Sequence, residues 1–189
     1  MITPAIALTT ALLMGMTGVS AQPQQTPPPA CEAEGFHQFD FWIGEWRVTA
    51  TANGNFAGHN SIQPAENGCL LRESWTGASG GTGSSINFYN PVSDQWRQIW
   101  HASGGGGYMI DYVGGLNEEG AMELEGEILQ HRPAHADGPT SFPFRGKWTP
   151  RADGTVRQQF WQYNPSNDEW AVWFDGTYTR VEMEPKSSD

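Results

Sequence analysis

Basic residues are the first thing this sequence lacks: 10 Lys and Arg stand against 21 Asp and Glu, a formal net charge of −11. A nucleic-acid binder neutralises phosphates with a basic patch, and cations this few and this scattered do not build one. Charge of either sign is also scarce, at 16% of residues against roughly 25% in an average soluble protein. Mean hydropathy is nevertheless −0.53, so Gly, Ser, Thr, Asn and Gln must supply the polarity. No apolar run is long enough to span a bilayer as a helix. What is abundant is Gly (23), Pro (13) and Trp (9). That composition excludes a disordered acidic chain and a helical bundle, and points to a turn-rich, aromatic β protein of one domain.

The longest apolar run, Ile6 to Val19, ends in Val19-Ser20-Ala21, small residues at the two positions a signal peptidase inspects. Residues 1–21 are therefore predicted to be a signal peptide, with export to the periplasm or the medium and no membrane span after cleavage. The run is not preceded by Lys or Arg, and a retained anchor is the competing reading. Residues 22–35, with Pro at 23, 27, 28 and 29, form a Pro/Gln-rich linker, residues 36–182 the domain, and residues 183–189 a tail. All charges lie from Glu32 onward, so the acidic excess belongs to the domain and its flanks. In an oxidising compartment Cys31 and Cys69 read as a disulfide rather than two thiols. Closing that loop contributes about 4 kcal/mol on the chain-entropy model.

Period-two alternation recurs through the domain and predicts ten strands: Trp46–Ala52, His59–Gln63, Cys69–Thr76, Ser85–Tyr89, Gln95–Ala102, Tyr108–Val113, Ala121–Leu129, Ser141–Thr149, Thr155–Tyr163 and Glu169–Arg180. The seventh is instructive because Met, Leu and Glu favour helix. Its strict alternation of Met122, Leu124, Gly126 and Ile128 with Glu123, Glu125 and Glu127 argues instead for a strand with one wet face. Two segments, Tyr89 to Trp96 and Tyr163 to Trp170, share Y-N-P-x-x-D-x-W and predict hairpins of one plan. The expected fold is all-β: a single antiparallel up-and-down barrel of about ten strands, with a two-sheet sandwich as the alternative. Before the first strand, Phe36, Phe39, Trp42 and Ile43 fall at helical spacing, predicting a short helical plug that Gly44 ends.

The segment Phe39-Asp-Phe-Trp-Ile-Gly-Glu-Trp46 resembles the opening F-D-F-W-(I/L)-G-x-W of a large group of bacterial secreted proteins of unknown function. The likeness continues through Gly68-Cys-Leu-Leu-Arg-Glu-Ser-Trp75, Ser85-Ile-Asn-Phe-Tyr-Asn-Pro91 and Trp173-Phe-Asp-Gly-Thr-Tyr-Thr-Arg180. At one remove, Gly44 and Trp46 with Arg180 on the last strand resemble the calycin pattern of lipocalins, fatty-acid-binding proteins and nitrobindin-like barrels. That resemblance implies a structural role for Trp42, Gly44, Trp46 and Arg180, with the Arg packed over the Trp46 ring at the closed end. Nitrobindin-like barrels hold haem through a His near the C-terminal strand. Here His occurs only at 37, 59, 101, 131 and 135, so no cofactor is expected.

Several motifs carry less chemistry than they promise. Gly77-Ala78-Ser79-Gly80-Gly81 matches a nucleophile elbow in letters but leads into a strand, not a helix, and reads as a hairpin loop. His131 and His135 have metal-ligand spacing with Pro133 between them and nothing to complete a set, so no metal site is expected. Gly104 to Gly107 lacks the Lys of a phosphate loop and reads as a turn at a barrel mouth.

Polar and aromatic residues instead share strand faces: Glu73 with Trp75, Asn87 with Tyr89, Arg97 with His101, Gln159 with Trp161, and Trp173 with Asp175. Pointing inward, these and Asp111 would line a cavity for a small apolar or amphipathic ligand. Pointing outward, they would leave Leu70, Ile86, Phe88, Trp96, Trp100, Phe160 and Phe174 to fill a dry core. Two other functions compete: a cavity enzyme with His101 as proton carrier near Asp111 or Asp175, and an envelope interaction module without a small ligand.

Overall fold

All ten alternating segments form strands. The computed structural model describes residues 31–104, 107–130 and 140–181. Within it run β1 (Gly44–Ala50), β2 (Phe56–Ala65), β3 (Leu70–Gly77), β4 (Thr82–Asn90), β5 (Gln95–Ala102), β6 (Tyr108–Leu116), β7 (Met122–Gln130), β8 (Ser141–Pro150), β9 (Val156–Asn164) and β10 (Glu169–Arg180). Each pairs antiparallel with its sequence neighbours, and β1 pairs with β10 from Trp46↔Arg180 to Ala50↔Gly176, which closes the barrel. Closure excludes the sandwich. In β7 the alternation holds against helix propensity: Met122, Leu124 and Ile128 are buried, while Glu123, Glu125 and Glu127 are exposed. The proposed signal segment, most of the linker, the 183–189 tail, His131 and His135 lie outside the described residues.

Consecutive connections alternate between the two ends of the barrel. One end is closed by the segment before β1, which forms two 3₁₀ turns, Glu34–His37 and Asp40–Trp42. Phe39 and Trp42 are fully buried there. Phe39 stacks on Trp42 at 4.9 Å and meets the Trp96 and Trp148 rings at 5.6 and 5.3 Å. Burying side chains of this size stabilises by about 1.5–3 kcal/mol each, so the plug is part of the core. Trp96 anchors it further by donating from Nε1 to the Gly35 carbonyl at 3.0 Å. Cys31 and Cys69 form a disulfide, which ties the start of this segment to the β2–β3 connection at the same end.

Arg180 completes the closure. Its guanidinium carbon lies 4.4 Å from the centre of the Trp46 ring, and Nη1 donates to the Ile43 carbonyl at 2.8 Å. Trp46 in turn donates from Nε1 to the Trp42 carbonyl at 2.9 Å. Gly44 makes the approach possible, because its φ is +147° and an added Cβ would stand 2.4 Å from Arg180 Nη1. Gly44→Ala is therefore expected to lose about 1–3 kcal/mol of stability in urea unfolding, through backbone strain and a displaced Arg180. Gly115→Ala, where a Cβ meets nothing within 4 Å, should stay within about 1 kcal/mol of the parent. Equal stability of the two variants would contradict this account of the closed end.

Candidate functional site

From the plug upward, the inward side chains change character. Beside the plug they are apolar: Trp46, Ile62, Leu71, Trp96, Met122 and Trp148 are all buried. Above them lies a buried polar arc, and above that a group of aromatic rings at the open end. The arc is built from Asn60, Glu73, Ser85, Asn87, Gln98 and Gln158, joined by the hydroxyls of Tyr112 and Tyr178. Seven strands contribute, each placing its polar residue at an inward position of the period-two pattern.

On one side of Glu73 the hydrogen bonds of the arc run in one direction. Tyr112 donates to Gln98 Oε1, Gln98 Nε2 to Asn87 Oδ1, Asn87 Nδ2 to Ser85 Oγ at 2.8 Å, and Ser85 Oγ to Glu73 Oε2 at 2.6 Å. From the other side Asn60 Nδ2 donates to Glu73 Oε1 at 2.7 Å and reaches the Tyr178 hydroxyl at 3.4 Å, while Tyr178 donates to Gln158. Glu73 is the acceptor at which both branches end. Its side chain is 4% exposed. Burial raises its pKa to about 7, against the lowering effect of the Ser85 and Asn60 hydrogen bonds. Burial and the Glu73 charge together also push the Tyr112 and Tyr178 phenols well above their ordinary value.

Over Glu73 opens a cavity of about 160 Å³. Its floor is Glu73, Gln98, Tyr112, Gln158 and Tyr178, and its walls are Trp75, Trp100, Tyr108, Phe160, Trp173 and Phe174, with Ile110 between. Trp173 gets there through a bulge in β10, where the pairing slips between Val172 and Phe174. The extra residue turns the Trp173 ring to within 5.5 Å of Tyr108 and 5.6 Å of Phe144.

The predicted site residues therefore divide. Glu73, Trp75 and Trp173 line the cavity, and Asn87 is two hydrogen bonds behind Glu73. Tyr89 faces inward at the plugged end instead, edge-on to Phe36 and donating to Asp94 at 2.6 Å. Arg97, His101, Asp111, Gln159, Trp161 and Asp175 lie on the outer face, because their neighbours Trp96, Gln98, Trp100, Ile110, Tyr112, Gln158 and Phe160 take the inward positions. Arg97 clamps Asp111 with bonds of 2.8 and 2.6 Å, and Arg157 clamps Asp175 with 2.9 and 2.6 Å. Those hydrogen bonds hold both carboxyls below the usual aspartate range. His101, exposed on the outer face, has no path to the cavity, so it is not a proton carrier for it. The alternative dry core fails too, since Trp96, Trp100, Phe160 and Phe174 point inward but Ile86 is 43% exposed.

Sequence reasoning missed Asn60, Ser85, Gln98, Tyr112, Gln158 and Tyr178, and the walls Trp100, Tyr108, Phe160 and Phe174. A usable signal was present in the strand glycines. Gly58, Gly83, Gly146 and Gly176 lie opposite or beside inward rings, and a Cβ there would come within 2.6 Å of Trp75, 2.2 Å of Trp100, 2.8 Å of Tyr112 and 2.6 Å of Phe174. Each glycine thus marks the inward parity of its strand. Of the remaining motifs, Gly77 to Gly81 is the hairpin loop expected, with Gly77 N bonded to Gly81 O at 2.8 Å and Ser79 exposed. Among the described residues no cluster of His, Cys, Asp and Glu could hold a metal ion. The chain matches no protein-family model and no curated protein.

The buried carboxylate has a measurable consequence for stability. With its pKa raised from 4.5 to about 7, the folded protein holds more protons than the unfolded chain between those values. Stability therefore falls as pH rises through that window, and the full cost is present above about pH 7. The shift corresponds to a cost of about 3 kcal/mol. Glu73→Gln should remove this slope: urea unfolding at pH 5 and pH 8 should show the variant gaining up to about 3 kcal/mol on the parent at the higher pH. Parallel pH profiles for the two proteins would contradict a buried, protonating Glu73.

Proposed function

We propose that this protein is an exported, calycin-like barrel that takes up a small molecule in the cavity above Glu73. The observation that carries the reading is the combination of aromatic walls with a polar floor at the unplugged end. Small-molecule sites have this make-up, apolar surface for affinity and a few fixed polar groups for orientation. The stacking of Arg180 over Trp46 beside Gly44 supports the calycin resemblance, and the Cys31–Cys69 disulfide fits an oxidising compartment.

Size narrows the ligand. A dry protein cavity of about 150 Å³ accommodates a benzene ring. At about 160 Å³ this one suits a molecule of one ring or its equivalent, and a long acyl chain has no room. Six indole, phenol and phenyl rings around the space also favour a flat or compact partner, by offset and edge-to-face contacts.

Quenching of tryptophan fluorescence provides the test, since Trp75, Trp100 and Trp173 all line the space. Neutral single-ring compounds such as benzyl alcohol and phenol are expected to quench saturably, and palmitate is not. Ile110→Phe, which places a ring in the cavity, should weaken that binding at least about tenfold, a difference of about 1.4 kcal/mol. If no ring compound binds, or if the Ile110→Phe protein binds as tightly as the parent, the binding reading fails and the envelope interaction module takes its place.

A further inference from the structure

We infer that the ligand is a small organic cation, an amine or alkylammonium of about one ring's bulk, held with its charged head between the aromatic walls and the Glu73 carboxylate. This rests on the binding reading above and names the chemistry that the cavity selects.

The walls and the floor are each suited to positive charge. Trp75, Trp100, Tyr108, Phe160, Trp173 and Phe174 surround the space, and the face of an aromatic ring attracts a cation, more strongly once both are desolvated. Enclosing ammonium groups in such cages is a recurrent use of that attraction. Glu73 is the one carboxylic acid of the lining, and no Lys, Arg or His joins it. Around the carboxylate the groups that face it are Asn60 from β2, Ser85 and Asn87 from β4, Gln98 from β5, Tyr108 and Tyr112 from β6, Gln158 from β9 and Tyr178 from β10. None is a cation.

That leaves Glu73 a buried acid without a counter-ion among the described residues, an arrangement proteins rarely keep. Its surroundings are nonetheless set for the anion, because the donors from Tyr112 through Gln98, Asn87 and Ser85, and Asn60 from the other side, are turned toward it. Each oxygen receives one of these bonds, and an ionised carboxylate offers about four acceptor positions. One position on each oxygen is thus open to a further donor, and Glu73 is part of the cavity lining. An ammonium group would fill both needs, as counter-ion and as donor. A carboxylate ligand would meet like charge. The net charge of −11 acts in the same sense at long range, drawing cations toward the protein.

Three compounds with one ring and different heads separate the possibilities: benzylamine, benzyl alcohol and benzoate, titrated calorimetrically into the full exported chain at pH 8. Benzylamine is expected to bind at least about tenfold tighter than benzyl alcohol, and benzoate not measurably. In Glu73→Gln the two neutral-to-cation affinities should converge. Should that variant not fold, the parent supplies the same readout: from pH 8 to pH 5 Glu73 becomes protonated while the amine stays charged, so amine affinity should fall and alcohol affinity should not. Trp100→Leu, which keeps the carboxylate, should weaken the amine more than the alcohol. Equal affinity for amine and alcohol, tighter binding of benzoate, or an amine affinity indifferent to pH would overturn the cation assignment and leave the binding cavity standing. Silence from all three compounds would overturn both.

Discussion

The structure depends on the seam between β1 and β10. Until those strands pair, the sheet has two open edges and no lumen; once they pair, every inward side chain must share one space whose width ten strands determine. A barrel of about eight strands is just wide enough for its own side chains to fill. Ten make a wider tube, and the surplus must be filled or left open. This chain does both. At the seam end Phe39 and Trp42 are inserted from outside the sheet, and Arg180 fastens that insertion to the last strand through Trp46 and the Ile43 carbonyl. At the far end nothing of the kind is inserted among the described residues, and the cavity is the space left over.

Much of this was legible in the sequence, and the failures have a definite origin. Ten strands and the plug follow from alternation and from residues whose backbone needs are local, while the partnership of Gly44, Trp46 and Arg180 was expected from the calycin resemblance. Facing is different. Alternation fixes which residues of one strand share a face, but nothing in a strand's own pattern says which face is inward when both carry aromatics. In β5 the sequence Trp-Arg-Gln-Ile-Trp-His offers either answer, and Arg97 with His101 was the wrong one. Strand by strand the choice is made by what the opposite wall can accept, which is why Gly83 beside Trp100 and Gly146 beside Tyr112 carry the information that β5 and β6 lack. Trp173 was placed correctly and Asp175 was not, although they are two residues apart, because the bulge after Val172 breaks the period between them.

The two Y-N-P-x-x-D-x-W turns show how far a local motif reaches. In both, the Asn side chain accepts from the backbone two residues on, the Asp takes a left-handed φ, and the Tyr hydroxyl donates to that Asp. The motif builds the same hairpin twice. Yet one stands at the plugged end with Tyr89 and Trp96 facing inward, and the other at the open end with Tyr163 packed on Trp170 and Arg145 over that Trp ring. Local sequence determines the turn; the parity of the adjoining strands decides whether its aromatics serve the core or the surface.

Charge pairing in this protein is distributed opposite to where it would stabilise most. Arg97 with Asp111 and Arg157 with Asp175 are two-pronged and well formed, but they lie on the wet face, where a pair is worth about 0–1 kcal/mol. Inside, where an unpaired carboxylate costs several times that, Glu73 has only neutral donors. A glutamine at this position would accept from Asn60 without the desolvation cost of a charge. Folding alone therefore gives no reason for an acid here, and the arc of donors from Tyr112 to Ser85 makes no sense as accidental packing, since every link is oriented toward it. Burial raises the Glu73 pKa to about 7 against the Ser85 and Asn60 hydrogen bonds, and its hydrogen-bond partners are all neutral. A costly acid beneath six aromatic rings is what the proposed binding of a cation in the cavity would account for.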